Sequence, residues 1–220
     1  MNCFVIMYNR LTWPKKLCED LVERGITPIL IDNKSTYQPL LDWYERECPY
    51  RVHRMMGNYG HQVFWFRDFE EYIGDRYYMV TDHDLDISKV PNDMEAMLRK
   101  GLELFPDVLK VGLSLEISDL PDNLFTKEVK KWETKFWQTE KRNGYYLSDI
   151  DTTLAIYDSE RPRGNLPNNR FFSAVRADRP YTARHMPWYN TPEFLAENEE
   201  ERYYNEHTHT YWSNKYKELI

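Results

Sequence analysis

Short apolar stretches alternate with amphipathic stretches along the first half of the chain. Buried strands form continuous apolar runs, whereas surface helices repeat apolar residues every three or four positions. Alternation of the two is typical of an α/β sandwich around a mostly parallel sheet. The pattern predicts strands at residues 3–8, 26–31, 51–56, 77–81 and 108–117, and helices at residues 13–25, 37–47, 62–72 and 92–104.

The second half of the chain is less regular. A helix is predicted at residues 127–139, and strands are predicted at 150–157 and 171–176. The stretch 161–169, rich in Arg, Pro, Gly and Asn, predicts a loop. Residues 193–216 form a charged, aromatic segment that we expect to pack as a helix. Since the sequence has no internal repeat, we expect one domain over residues 1–220.

Polar residues follow each of the first four predicted strands. In open α/β sheets, ligands bind beyond the carboxyl ends of the strands, so these residues are expected to meet in one crevice. They are Asn9 and Arg10 after the first strand, Asp32 and Asn33 after the second, Gly57 and Asn58 after the third, and Asp82, Asp84 and Asp86 after the fourth.

The three aspartates after the fourth strand are spaced two residues apart. On an extended backbone this spacing turns their side chains to one face, where three carboxylates repel one another unless a cation lies between them. Mg²⁺ takes one or two carboxylates together with substrate phosphates. The motif therefore predicts a metal site for a phosphorylated ligand. A solvated acidic turn is the alternative, and an EF-hand is excluded because Ile87 and Asp93 occupy its Gly and Glu positions.

Composition narrows the classes of partner and location. The chain has 220 residues, of which 41% are hydrophobic, and a net charge of −7. Nucleic-acid binding needs a basic footprint, so we expect no nucleic-acid partner. Three cysteines without metal-ligand spacing fit a reduced chain. With no apolar run as long as a membrane span and no signal peptide, we expect a cytoplasmic location.

Several segments in order resemble the GT-A-fold, nucleotide-sugar-dependent glycosyltransferases, in particular a family-2-like bacterial and viral subgroup. The resemblance implies a Rossmann-like three-layer α/β/α sandwich with a nucleotide-binding half (about 1–90), an acceptor and catalytic half (about 91–190) and a helical tail (191–220). The resemblance rests on the first strand with Asn9 and Arg10, the segment 29–35, the Asp-x-Asp after a strand, and the segments 111–121, 150–157 and 183–189.

The resemblance implies a nucleotide-sugar donor, most simply a UDP-sugar, and Mn²⁺ or Mg²⁺. It places Asp32 on the N–H of the base, Asp82 on the ribose, and a late loop histidine, His185, on the metal. The register is open, because Asp84-Leu85-Asp86 is also an Asp-x-Asp. The implied sets are Asn9, Arg10, Asp32, Asn58 and Asp82 for the nucleotide, and Asp84, Asp86 and His185 for the metal.

The implied reaction is an inverting transfer of the sugar to a glycan, a lipid-linked sugar or a glycoprotein. It needs a general base, for which a carboxylate with a raised pKa is suited. Asp151 and Asp119 are the candidates, with Glu133 a weaker third. A retaining mechanism, a haloacid-dehalogenase-like phosphohydrolase and a non-catalytic nucleotide- or carbohydrate-binding module stay open. A nucleotidyltransferase is disfavoured because no glycine-rich loop follows the first strand.

Each proposed side chain also has a purely structural interpretation. Asp32 and Asn58 are also suited to turns and helix caps, and His185 could simply pack against Trp188. The tryptophans at 132, 137 and 188 are candidates for an acceptor platform or for the core. His53, His61, His207 and His209 are expected to be structural or surface residues, whereas His83 is expected to contact the diphosphate.

Overall fold

The computed structural model describes residues 1–67, 69–122, 126–161, 172–189 and 203. Apart from Tyr203, the predicted C-terminal helix lies outside these residues, and so does most of the predicted 161–169 loop. The strands are β1 (Asn2–Met7), β2 (Thr27–Asp32), β3 (Arg51–Arg54), β4 (Tyr77–Asp82), β5 (Leu85–Asp86), β6 (Lys110–Leu115), β7 (Lys141–Arg142), β8 (Tyr145–Tyr146), β9 (Ala155–Asp158) and β10 (Ala174–His185). The helices are α1 (Thr12–Glu23), α2 (Gln38–Arg46), α3 (Val63–Phe66), α4 (Met94–Leu104) and α5 (Thr126–Trp137), with 3₁₀ turns at Phe69–Tyr72 and Met186–Tyr189.

A single sheet links these strands in the order β3-β2-β1-β4-β9-β6-β10-β8-β7, and β5 pairs with β10. The first four strands of that order run parallel. Strand β9 runs antiparallel to both β4 and β6, so β4 and β6 point the same way, and β10 is parallel to β6. The predicted α/β class with a mostly parallel central sheet is confirmed.

Alternating side chains of the strands cover both faces of the sheet. On β1, Cys3, Val5 and Met7 pack into one apolar cluster with residues of α1, α2 and α4. Phe4 and Ile6 face the opposite side, where residues of α3 and the 69–72 turn close a second cluster. The result is three layers, and the layer over the second face is thin. None of the described helices combines the length and apolarity needed to cross a bilayer.

The predicted helix at 62–72 is interrupted after α3. Phe64 and Phe69 both pack into the second cluster, with their rings 6.2 Å apart and nearly parallel. In a straight helix two residues five positions apart would point about 140° away from each other. Breaking the helix between them lets both rings reach the sheet.

Two strand predictions in the second half needed correction, and one hairpin was missed. The run at 150–157 forms a strand only from Ala155, because residues 150–154 make a turn tied to the end of β4. Strand β10 continues to His185, across a register shift that contains the cis Arg179–Pro180 bond. The β7–β8 hairpin was not predicted. Its Asn143-Gly144 turn has both residues at positive φ, which is the usual sequence signal for such a hairpin.

Candidate functional site

Two adjoining cavities of about 620 and 460 Å³ open at the carboxyl ends of β1 and β4. A groove of about 680 Å³ runs along α4, but residues from these strand ends do not line it. The crevice expected from the parallel sheet is therefore present. The two cavities share Arg10, His61, Asp82, Asp84, His185 and Tyr203.

Asp84 is held in this cleft by a buried ion pair. Arg10 donates from Nη1 to Asp84 Oδ2 at 2.8 Å, with both side chains buried. The Arg10 guanidinium lies 3.6 Å from the centre of the Tyr203 ring. Burial alone would raise the pKa of Asp84, but His185, His83 and Arg10 hold it below its usual value. Asp84 is therefore ionised in the folded protein.

Asp82 has the opposite electrostatic character. Its Oδ2 accepts a hydrogen bond of 2.5 Å from the Thr152 hydroxyl, and its N–H donates to the Thr152 carbonyl at 3.0 Å. Burial and the nearby Asp84 carboxylate raise the pKa of Asp82. One ionised and one readily protonated carboxylate thus lie two residues apart.

The histidines beside Asp84 have lowered pKa values, so they are charged at the low pH where Asp84 titrates and neutral near pH 7. His83 donates from Nδ1 to the Ile6 carbonyl at 2.7 Å, and burial lowers its pKa to about 4. Burial also lowers the pKa of His185, whose ring lies 4.7 Å from the Trp188 ring. A neutral imidazole is the form that binds metal ions.

Asp84 and His185 have donor atoms suited to a divalent cation. His185 Nε2 lies 3.5 Å from Asp84 Oδ1, and this buried oxygen makes no hydrogen bond among the described residues. An oxygen and a nitrogen donor fit Mn²⁺ or Mg²⁺ when substrate phosphates complete the coordination. Within the described ranges, His, Cys, Asp and Glu side chains form no group of three that could hold a metal without such help.

Asp86 does not join the expected metal set. Its Oδ1 accepts from the Ser88 N–H at 2.9 Å and from Lys16 Nζ at 3.3 Å, and it lines neither cavity. The chain bends at His83 before it pairs through β5 with β10. The backbone is therefore not one extended strand from Asp82 to Asp86, and residues spaced two apart do not all face the same side. The bend corrects the expectation that three carboxylates converge.

Two of the residues predicted to contact the nucleotide are engaged inside the protein instead. Asp32 accepts hydrogen bonds from the Ser35 N–H at 3.0 Å and the Tyr44 hydroxyl at 3.2 Å. Asn9 has φ 49° and accepts from the N–H groups of Thr36 and Tyr37. Neither lines a cavity, so the structural interpretation of both is favoured.

The smaller cavity exposes a different set of groups to a ligand. Asn58 is exposed there and accepts from the Gly60 N–H at 2.8 Å, which stabilises the turn after β3. Tyr8 and Asn33 line the same cavity. Asn33 is buried and its amide is bonded within the protein, since Nδ2 donates to the Gly60 carbonyl at 3.0 Å and Oδ1 accepts from the Tyr59 N–H at 3.1 Å. It therefore shapes the cavity, whereas Tyr8 and Asn58 are less buried.

The candidate bases are separated by the fold. Asp151 lines the larger cavity, its side chain is 57% exposed, and its Oδ1 lies 3.6 Å from His61 Nε2. Asp119 lies in a separate depression, where Arg184 Nε donates to it at 2.9 Å and the Tyr189 hydroxyl at 2.7 Å. Glu133 lines the larger cavity but is buried in an ion pair with Arg176.

Sequence reasoning missed two buried cations that hold the turn carrying Asp151. Lys110 is fully buried and donates from Nζ to the Asp151 carbonyl at 2.5 Å. Arg176 donates from Nε to the Asp149 carbonyl at 2.7 Å. Burial lowers the pKa of Lys110 to about 7, against the opposing effect of Asp151 and Asp82. A lysine between Leu109 and Val111 on a predicted strand was the available signal.

Comparisons with known proteins give remote likeness only. No protein-family profile matches the chain, and no curated protein does. Among solved structures, S. aureus TarS has a TM-score of 0.49 at 10% identity over 83% of this chain and 36% of its own. S. aureus TarS 1–349 in complex with UDP-GlcNAc has a TM-score of 0.48 at 10% identity, over 89% of this chain and 63% of its own.

A third structure is glucosyl-3-phosphoglycerate synthase from Mycobacterium tuberculosis, in complex with Mn²⁺, UDP-glucose and phosphoglyceric acid. It gives a TM-score of 0.45 at 9% identity, over 72% of this chain and 56% of its own. The chain thus spans 36% to 63% of the length of these three structures. The TM-scores of these three structures are all below 0.5.

Proposed function

We propose that this chain transfers a glycosyl group from a nucleotide-sugar donor, a UDP-sugar, to an acceptor hydroxyl with the help of Mn²⁺ or Mg²⁺. The observation that carries the proposal is the buried, ionised Asp84, which faces His185 at the carboxyl ends of parallel strands. Such a site is suited to a metal-bound diphosphate. Asp151, in the same cleft, supplies the second carboxylate that glycosyl transfer requires.

In this proposal Asp84 and His185 hold the cation together with the donor diphosphate. When bound, the cation would offset the charge that develops on the leaving diphosphate. Arg10 keeps Asp84 ionised and oriented through its hydrogen bond to Oδ2. The nucleoside would occupy the smaller cavity beside Tyr8, Asn33 and Asn58, with Asp82 near the ribose.

The acceptor would react in the larger cavity. Asp151 removes the proton from the acceptor hydroxyl while the oxygen attacks C1 of the donor sugar. The bond from C1 to the diphosphate oxygen breaks on the opposite side, and the nucleoside diphosphate leaves, so the configuration at C1 is inverted. His61, 3.6 Å from the carboxylate, helps to orient Asp151. The paired and separately located Asp119 has no part in this scheme.

The proposal is tested by release of nucleoside diphosphate from a panel of UDP-, GDP- and dTDP-sugars, with Mn²⁺ or with EDTA. We expect one class of donor, the UDP-sugars, to be hydrolysed slowly without acceptor and only when metal is present. Release of inorganic phosphate from simple phosphomonoesters would instead support a phosphohydrolase. Metal-dependent nucleotide binding without turnover under any acceptor condition would support a binding module.

Lys110→Met should increase the stability of the fold near pH 6 and at the same time slow transfer. The pKa of Lys110 in the fold, about 7, lies below the roughly 10.5 of a free lysine. The buried charge therefore destabilises the fold fully below pH 7, and this cost disappears as the pH rises towards 10.5. We therefore expect the free energy of unfolding of Lys110→Met, minus that of the wild type, to be more positive at pH 6 than at pH 9. We also expect transfer to slow by about tenfold or more, because the turn carrying Asp151 loses its donor.

Urea unfolding at both pH values, together with the transfer rate, checks this expectation. Lys100→Met, at an exposed lysine of α4, is the matched control and should change neither quantity. An identical change in unfolding free energy at pH 6 and pH 9 would contradict the buried-charge explanation. Normal transfer by Lys110→Met would show that Lys110 does not position Asp151.

A further inference from the structure

The larger cavity has an aromatic wall that the smaller cavity lacks. Trp132 and Phe136 on α5 contribute to it, and Phe172 lies on it as well. Trp132 is 55% exposed and Phe172 is 40% exposed, which makes them two of the few large apolar side chains left open to solvent in the described residues. Exposed aromatic rings inside a cavity are suited to contact a ligand.

The other tryptophan of α5 shows that this exposure is not general. Trp137 donates from Nε1 to the Leu115 carbonyl at 3.2 Å, and the Arg179 guanidinium stacks on its ring at 4.1 Å. It lines neither cavity of the cleft. One helix thus presents one tryptophan to the cleft and uses the other to tie α5 to the sheet.

The Trp132 ring already attracts positive charge. Lys135 Nζ lies 3.5 Å from the centre of the ring, a cation–π contact that shows that the electron-rich face attracts an electropositive group and that a ligand on this face would replace. The C–H face of a pyranose ring is electropositive in the same sense and is also apolar, so it is suited to pack on such a ring. A sugar also carries hydroxyls, which can donate to carboxylates at the rim.

The charge of the larger cavity argues against an anionic ligand. Five carboxylates and three cationic side chains line it. Two of the three cations are paired with two of the carboxylates, Arg10 with Asp84 and Arg176 with Glu133. The remaining lining groups are Lys135 and the carboxyl groups of Asp82, Asp149 and Asp151. Asp149 and Asp151 line the same space and are exposed. A phosphorylated or carboxylated acceptor would meet net repulsion here.

From this wall and this charge we propose that the acceptor is a neutral sugar ring that stacks on Trp132, with the reacting hydroxyl directed to Asp151. The inference rests on the proposed function, since it assigns the acceptor of the same cleft. Asp151 and the aromatic wall share the larger cavity, whereas the groups assigned to the nucleoside line the smaller one. Trp132 is then a determinant of acceptor affinity and has no role in donor hydrolysis.

The first test compares matched acceptors. The wild-type protein is given Mn²⁺ and the donor that it was found to hydrolyse. Methyl glucoside and methyl galactoside are then added in separate reactions. Methyl glucuronide and methyl galacturonide, each of which differs from its neutral counterpart by one carboxylate, are added in the same way. We expect at least one neutral glycoside to accelerate diphosphate release, and its uronide to be at least tenfold less effective. A preference for the uronides, or no acceleration by either neutral glycoside, would overturn the inference.

The second test uses variants of the wall. Trp132→Ala should raise the acceptor KM by about tenfold, the order expected for loss of one stacking contact, without changing donor hydrolysis. Trp132→Phe should restore most of the affinity. Phe66→Ala, at an aromatic residue that is 46% exposed outside both cavities, is the control and should have no effect. An unchanged KM in Trp132→Ala would show that the wall does not bind the acceptor.

A binding measurement separates failure of the inference from failure of the proposed function. Saturation-transfer NMR with methyl glucoside and methyl galactoside, without donor or metal, reports contact of the sugar C–H protons with the protein. We expect transfer to the ring protons in the wild type and its loss in Trp132→Ala. Donor hydrolysis with no sugar contact would contradict the inference alone, and sugar contact with no donor hydrolysis would contradict the transferase.

Discussion

Asp84→Asn is expected to lower metal-dependent diphosphate release by at least about 100-fold, the effect of losing several kcal/mol of charge stabilisation. Asparagine keeps an oxygen for the hydrogen bond from Arg10 but has no charge with which to hold a cation beside His185. The rate with saturating donor and a titration with Mn²⁺ measure the effect. The variant should also need far more Mn²⁺ for half-maximal activity.

Asp86→Asn is the matched control, because it makes the same chemical change two residues away. Asp86 is engaged by Ser88 and Lys16 outside both cavities, and surface ion pairs of this kind contribute about 1 kcal/mol or less. We therefore expect less than a fivefold change in rate. If Asp86→Asn is the more damaging variant, the metal register proposed for this cleft is wrong.

Asp151→Asn is expected to slow transfer to an acceptor by about 100- to 10,000-fold, the usual contribution of a general base. The carboxylate lines the larger cavity beside His61, and its amide replacement cannot take up the acceptor proton. Donor affinity should stay near the wild-type value, because Asp151 has no role in holding the diphosphate. Single-turnover transfer, with donor binding measured separately by calorimetry, distinguishes the two effects.

Asp119→Asn serves as the control for that variant. Asp119 is paired with Arg184 and bonded by Tyr189, and these hydrogen bonds lower its pKa although partial burial alone would raise it. The variant is expected to transfer sugar at close to the wild-type rate, with some loss of stability. Loss of transfer in Asp119→Asn together with full transfer in Asp151→Asn would show that Asp119 is the general base and that Asp151 is not.

Local patterns predicted the sheet and the place of the cleft. Apolar runs and helical periodicity are properties of neighbouring residues, so β1 to β4 and α1, α2 and α4 were expected from the sequence. The rule for the ends of parallel strands then placed Arg10, Asp82 and Asp84 in one crevice, and the structure gathers them there. The register of β10 across Pro180 depends on tertiary pairing and was not predictable in this way.

Asp32 and Asp86 each have a partner on another element of the fold that the sequence did not reveal. Asp32 is satisfied by Tyr44 from α2, and Asp86 turns to Lys16 from α1 because the chain bends at His83. The spacing of residues along one segment gives no information on such partners. Lys110 was visible as a charge on an apolar strand, but its bond to the Asp151 carbonyl appears only when β6 meets the 149–154 turn.

The most direct test of the central claim is the position of Mn²⁺ and UDP in crystals of the protein. Anomalous scattering locates the metal independently of the protein model used for phasing. We predict a Mn²⁺ peak bonded to Asp84 and His185, with the UDP diphosphate beside it and the base in the smaller cavity. A metal bound at Asp86 and Lys16, or a cleft that binds neither Mn²⁺ nor UDP at saturating concentrations, would contradict the account.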